Sequence, residues 1–558
     1  MPKILTPLSL FKNFDISLPT FPVKLSTTQI DDTCIEHLNI SGRETGCGRV
    51  QIAAAFAYDV QSPAAGTVLI IPDSTETIDE EILKYFVDQG YTALMVDYRG
   101  EWKDTTFVTR YPSNVSYANT AKCGRQKDYV DDSADKTSWY EWVGIGLYAR
   151  KYIKERTGSD NIAVVGLRDG GEIAWKLGVA GDFSCIIPVC AAGWKAYSGI
   201  SKYLTEDPVL DEERYRFIAG IDSQAYAPHV KCPVLMLCST NDPLFDYDRA
   251  YDTFSRINQD FIKDSAIAFS VKSSASISAK SIADMFLMLD KNLKKRQVFI
   301  PNPPEISVFV DEKSNLIARV TFDNKGIAES CKLYLAEDCI DSTLREWCVC
   351  PEKSRKAENV FDYYLNVYEK TSVIFVLCRV SYLNGFTVWS KMNVKRISGL
   401  FRNTQNKCRV MYNDKDVAAD FAVADSKSLS VGGIFFPNES VLPKLVTKTR
   451  GVKGLFSPCG LSTFRMSNPK FAPSKNSVLS IDFFSDETST LTLTFIDITS
   501  GEEYINEVNV IGGAWQTVIS ESKNFKTASG VPLADFTGDL KFTLTCPVGY
   551  AVNNIMWL

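Results

Sequence analysis

The stretch Val164-Val-Gly-Leu-Arg-Asp-Gly-Gly171 sets a guanidinium and a carboxylate between glycines, directly after an apolar run and ahead of a helical pattern. Gly166 and Gly170 allow a strained strand-to-helix turn, with Gly171 small enough for close packing behind it. Arg168 stays protonated and is therefore no nucleophile. At a helix start it suits a carboxylate, a phosphate or a sugar acid, or else an internal ion pair. The internal pair is the favoured reading, because a charge stranded in a cleft is costly. Two carboxylates are placed as partners. Asp169 is adjacent, and Asp242 closes the Ser-Thr-Asn-Asp242 that follows the apolar run Val234–Cys238. The arginine fork takes a carboxylate bidentately and has the reach to cross such a turn. Asp73, after Ile71-Pro72, is a further polar group at the end of an apolar run.

Histidine is scarce: only His37 and His229 occur in 558 residues. His37 lies ahead of the apolar strands and His229 precedes the run that delivers Asp242, so neither is placed to serve Arg168 or Asp169 as a base. Cys190, in Val189-Cys-Ala-Ala-Gly193, has no base in view and reads as a core thiol. Cys348-Val-Cys350 lacks a second pair at zinc spacing, so no metal site is expected, and nothing calls for a cofactor. Trp515, in Gly512-Gly-Ala-Trp515, is either a sugar-stacking aromatic or part of a β core, with the core reading favoured.

The elements that must position these groups are legible in the pattern. From Thr67 to about residue 295, apolar runs of five or six residues (Thr67–Ile71, Thr92–Val96, Asn161–Val165, Cys185–Cys190, Val234–Cys238, Ala266–Val271) alternate with amphipathic helices. That alternation predicts a mostly parallel sheet, doubly wound, with helices on both faces. The character changes at Pro301-Asn-Pro-Pro304, after which period-two strands predominate. The expected parse is a β extension over 1–60, an α/β domain over 61–297, an immunoglobulin-like sandwich over 298–399 and a jelly-roll sandwich over 400–558.

Composition narrows the function classes. The 61 basic and 67 acidic residues leave a net charge of −6 with no long basic run, a poor match to nucleic acid or an anionic membrane. The longest apolar runs, such as Val373–Cys378, are strand-sized. The N-terminus lacks the apolar core of a signal peptide, and the fifteen cysteines are odd in number and scattered through apolar runs. Reduced thiols and a cytoplasmic location are expected.

Val96-Asp-Tyr-Arg-Gly100, Gly166–Gly171 and Cys232–Asp242 stand in the order seen at the strand ends of the α/β-hydrolase superfamily. Over about residues 30–295 the chain resembles the acetyl-xylan-esterase and dienelactone-hydrolase-like branch. The resemblance implies a Ser nucleophile where this chain has Arg168, a triad acid at Asp242, and a His on a loop that here reads Lys272-Ser-Ser-Ala-Ser-Ile277. The oxyanion-side segment reads Pro72-Asp-Ser-Thr75, without the His-Gly frequent there. Of the triad only Asp242 remains. An Asp169 nucleophile of the haloalkane-dehalogenase type would put Leu167 and Gly171 at the small positions, a poorer fit. The C-terminal segment around Trp515 resembles galactose-binding and carbohydrate-binding jelly rolls. Together these imply a non-catalytic hydrolase-fold protein that binds a small acidic or sugar ligand, or a partner. The alternative is an esterase-like hydrolase with an unorthodox site.

Overall fold

A computed structural model describes residues 4–62, 64–101, 106–203, 209–273, 277–383, 385–416, 421–424 and 442–558. Nine strands among them join one sheet: β1 Val23–Ile30, β2 Thr33–Glu44, β3 Arg49–Asp59, β4 Thr67–Ile71, β5 Thr92–Val96, β6 Ile162–Leu167, β7 Cys185–Val189, β8 Leu235–Ser239 and β9 Ala266–Ser270. Their spatial order is β1-β2-β3-β5-β4-β6-β7-β8-β9. β4 through β9 run parallel, while β1, β2 and β3 pair antiparallel at one edge. The sequence pattern places the alternating sheet from Thr67 and a β extension ahead of it. The β1–β2 hairpin carries it back to Val23, and β1 was hard to see because its side chains face solvent.

β4–β9 are buried along their whole length, as expected of strands covered on both faces. On one face the helices Glu80–Asp88 and Ala279–Leu293 pack together through Phe86 and Phe286, ring centroids 5.6 Å apart. On the other lie Ser138–Thr157 and Asp169–Ala180. Their ends follow local chemistry. The Asp79 side chain accepts the amides of Glu81 and Ile82, and Gly158 closes the long helix at φ 70. Among the described residues no helix is long and apolar enough to cross a membrane.

Among the described residues past 304, the chain is mainly β-strands joined by turns and short 3-10 segments. Residues 305–396 form two antiparallel sheets, of four and five strands, and residues 410–557 form two more, of six and five. The α/β sheet and the middle sandwich share one continuous apolar cluster, whereas the C-terminal sandwich has its own. Trp389 meets Phe269 of β9 edge-on at 5.6 Å. Arg345, fully buried, holds Asp248 bidentately at 2.6 and 3.0 Å. Asn241 donates to the carbonyls of Ser342, Thr343 and Arg345.

Candidate functional site

The loops leaving the carboxyl ends of β4, β6, β7 and β8 converge, and the turn between β6 and its helix is their centre. Arg168 sits there at φ 49, ψ −109, a strained conformation for a side-chain-bearing residue. Small neighbours are compulsory. A Cβ on Gly166 would lie 2.2 Å from the Gly170 carbonyl oxygen, and one on Gly170 would lie 2.2 Å from that of Ile71. A Cβ on Gly171 would lie 2.6 Å from Ala191 Cβ. Steric pressure at the glycines, from the packed strand and helix, therefore forces the sharp turn.

Arg168 Nη2 donates to Asp242 Oδ2 at 3.0 Å, joining the two residues that the sequence reading set against each other. Asp242 is completely buried, and the Arg168 side chain is 18% exposed. Burial opposes the guanidinium charge, but Asp242, with Cys190, Asp73 and Glu76, outweighs it and raises the Arg168 pKa. For Asp242 burial is the larger effect and pushes its pKa up, against the pull of Arg168. Asp242 Oδ1 accepts the Leu244 amide, so the carboxylate is fixed at both oxygens.

Asp169 faces a different set of charges. Lys127 Nζ and Ser74 Oγ reach its Oδ2 at 2.8 and 2.6 Å, and Lys195 Nζ reaches Oδ1 at 2.9 Å. Burial alone would raise its pKa, yet the two lysines hold it well below the usual carboxylate range. It is a locked anion, not a poised nucleophile. Its own backbone N–H donates to Asp73 Oδ1 at 3.3 Å. In this turn the N–H of the residue after the nucleophile is half of an oxyanion hole. In this chain the corresponding N–H, at the electropositive start of a helix, is taken by the Asp73 carboxylate. Thr75 Oγ1 holds the other Asp73 oxygen at 2.8 Å. Beside them Glu76 is buried, and burial, then Asp73, push its pKa up to about 7.

The remaining candidates lie apart from this cluster or are inert. Cys190 also has positive φ, but burial raises its thiol to about 12. His37 is held on β2 by Glu80 and Ser26, each at 3.1 Å, and neither histidine makes a described contact with Arg168, Asp169 or Asp242. Arg99 binds Asp97 at 3.0 Å and Asp97 accepts the Thr109 amide, an arrangement that fixes the turn after β5. Trp515 is half-buried in the C-terminal sandwich, 5.6 Å from the Phe484 ring, and the structure does not bring it to the turn. Residues 274–276 of the loop after β9 lie outside the described residues; Lys272, before them, binds Glu346 of the middle sandwich at 2.7 Å. Among the described residues no group of three or more His, Cys, Asp or Glu could hold a metal.

Sequence reasoning missed Ser74, Glu76, Lys127 and Lys195. Three of them follow directly after β4 or β7, where loops at a parallel sheet's carboxyl ends gather polar groups, and that rule would have found them. Lys127 comes from a long excursion between β5 and the helix Ser138–Thr157 and carried no signal.

Strand order, the turn after the central strand β6 and the loops beyond β8 and β9 define an α/β-hydrolase fold. No family model matches the chain, and no curated protein does. Among solved structures it is similar to acetyl xylan esterase 1 from Thermoanaerobacterium sp., at 15% identity and TM-score 0.37, over 49% of this chain and 89% of that one. An acetyl xylan esterase from Paenibacillus sp. gives 13%, 0.38, 51% and 92% in the same order. A cold-adapted esterase from an Arctic intertidal metagenomic library gives 14%, 0.33, 48% and 97%. At such values the likenesses assign no activity, and the fold rests on the strand order itself.

Proposed function

We propose that the α/β half is a pseudo-hydrolase, related to the acetyl-xylan-esterase and dienelactone-hydrolase-like branch, that has lost the serine and histidine of the triad and acts by binding. One observation carries this reading: the nucleophile position is an arginine paired to the remaining triad acid, Asp242. The capture of the Asp169 N–H by Asp73 supports it, because an incoming carbonyl oxygen would have to displace a carboxylate. The bound species on this reading is a small acidic or sugar molecule, or a partner protein, and not nucleic acid or membrane, in keeping with the net charge of −6. All fifteen cysteines are free thiols, which supports a reducing, cytoplasmic setting.

Hydrolysis of p-nitrophenyl acetate tests the reading. The intact chain should show no turnover above buffer, and Arg168→Ser should gain none, since no imidazole stands ready to activate the serine. Robust turnover by the intact chain that Asp242→Ala abolishes would establish the esterase alternative instead.

A further inference from the structure

We propose that Cys331 and Cys378 close into a reversible disulfide by exchange with a low-molecular-weight disulfide, which makes the middle sandwich a site of redox modification. Their sulfurs lie 3.6 Å apart, on the neighbouring strands Ala328–Glu337 and Val373–Tyr382. The pair belongs to the middle sandwich and stands whatever the Arg168 turn does.

Strand register brings the two thiols together. Cys331 is opposite Val380 and Cys378 is opposite Leu333, so the cysteines are diagonal neighbours on one face. The ladder slips between Ala328 and Ser330, directly ahead of Cys331, and such a slip adds local twist. A disulfide of about 2.05 Å requires the sulfurs to approach by about 1.5 Å more, a movement of side-chain rotation and small strand adjustment. Diagonal spacing is at the long end of what a disulfide spans. The bond is therefore strained and easily reduced, as a switch needs and a structural bridge does not.

The two thiols also differ in access. Cys331 is partly exposed and lines a cavity of about 360 Å³ whose rim, Ile327, Glu329, Arg355 and Glu358, is exposed. That volume admits a small molecule. Cys378 is completely buried. Burial, and then the hydrogen bond with Cys331, raise its pKa well above the ordinary thiol value, so it stays protonated and donates towards Cys331. Cys331 is thus the entry point and Cys378 the thiol that follows. The Cys331 thiolate attacks one sulfur of the small disulfide RSSR and expels RS⁻, which takes up the proton that Cys331 gave. Cys378 then attacks the Cys331 sulfur of the mixed disulfide, and its proton passes to the second departing RS⁻. The two cysteines lose two electrons and two protons, and one RSSR becomes two RSH. The closed bridge encloses residues 331–378, the segment that carries Arg345 and its tie to Asp248.

Anaerobic incubation of the reduced full chain in graded mixtures of oxidised and reduced glutathione tests the site, followed by acid quench, alkylation with N-ethylmaleimide and peptide mapping. A linked Cys331–Cys378 peptide should accumulate as the oxidised share rises, about 2 Da lighter than its two reduced halves, and disappear with dithiothreitol. Cys378→Ala should instead trap glutathione on Cys331. Cys47, which is exposed, reports that the mixture is oxidising enough to modify an open thiol. The proposal is overturned by any of three results: no linked peptide in mixtures that glutathionylate Cys47, linkage only once urea has unfolded the chain, or an unmodified Cys331 in a folded Cys378→Ala variant. Mapping of the unaltered chain decides the matter even where that variant does not fold.

Discussion

Asp242 shows what a fully buried carboxylate gains from an arginine partner. Its partner is a permanent cation across the turn, with Asp242 out of water and Arg168 partly so. Truncating one member leaves the other buried and unpaired, so Asp242→Ala should lower the unfolding free energy by about 3 kcal/mol in urea titrations. The double variant Arg168→Met with Asp242→Leu should lose less than that single change, since it strands no charge. Glu76 sets a pH dependence. Its pKa rises from 4.5 to about 7 on folding, so the folded chain holds the proton more tightly. That stabilisation is full below pH 4.5 and is lost as pH rises through 7. Asp222, also pushed up to about 7 by burial, adds a fall of the same sign. Glu76→Gln should therefore be more stable than wild type at pH 8 by about 2 kcal/mol and show a shallower decline between pH 5 and 8.

At the scale of elements, the turn after β6 is a steric device set by its glycines. The strained φ of Arg168 is kept because strand and helix close on Gly166 and Gly170 from both sides. Gly166→Ala and Gly170→Ala should each cost more than about 4 kcal/mol or abolish folding, because the new methyl meets backbone that cannot step aside. Gly158→Ala offers the contrast. Its φ is also positive, but nothing lies within 4 Å, so the cost should be about 1 kcal/mol, from the left-handed conformation alone. Thermal melts of the three variants rank them directly.

At the scale of the whole molecule, the middle sandwich acts as a continuation of the α/β core. Ile300, in the Pro-rich junction, is buried in the shared cluster, and Arg345 and Asn241 tie the two units by buried polar contacts. The C-terminal sandwich is joined more lightly, through an exposed junction at residues 398–400. Calorimetry should show two transitions, one for the α/β unit with the middle sandwich and one for the C-terminal sandwich. Limited proteolysis should cut at residues 398–400 and spare 300–304, although the sequence pattern places a domain boundary at both.

Local pattern was enough to read much of this chain. The alternation of apolar runs with amphipathic helices gave the parallel sheet, and glycines around Arg168-Asp169 gave the turn, because each signal depends on neighbours a few residues away. Arg168 and Asp242 could be matched across 74 residues through the α/β-hydrolase resemblance, which sets these two positions against each other. The tertiary structure alone decided which other charges meet. Ser74 and Lys127 reach Asp169 from 95 and 42 residues away, and Asp73 reaches its N–H across 96. Such pairings have no period to read, since they follow from where long loops come to rest on a packed sheet. The shared core escaped for the same reason: Pro-rich composition marks a change of element, but burial of Ile300 depends on surfaces contributed by both sides.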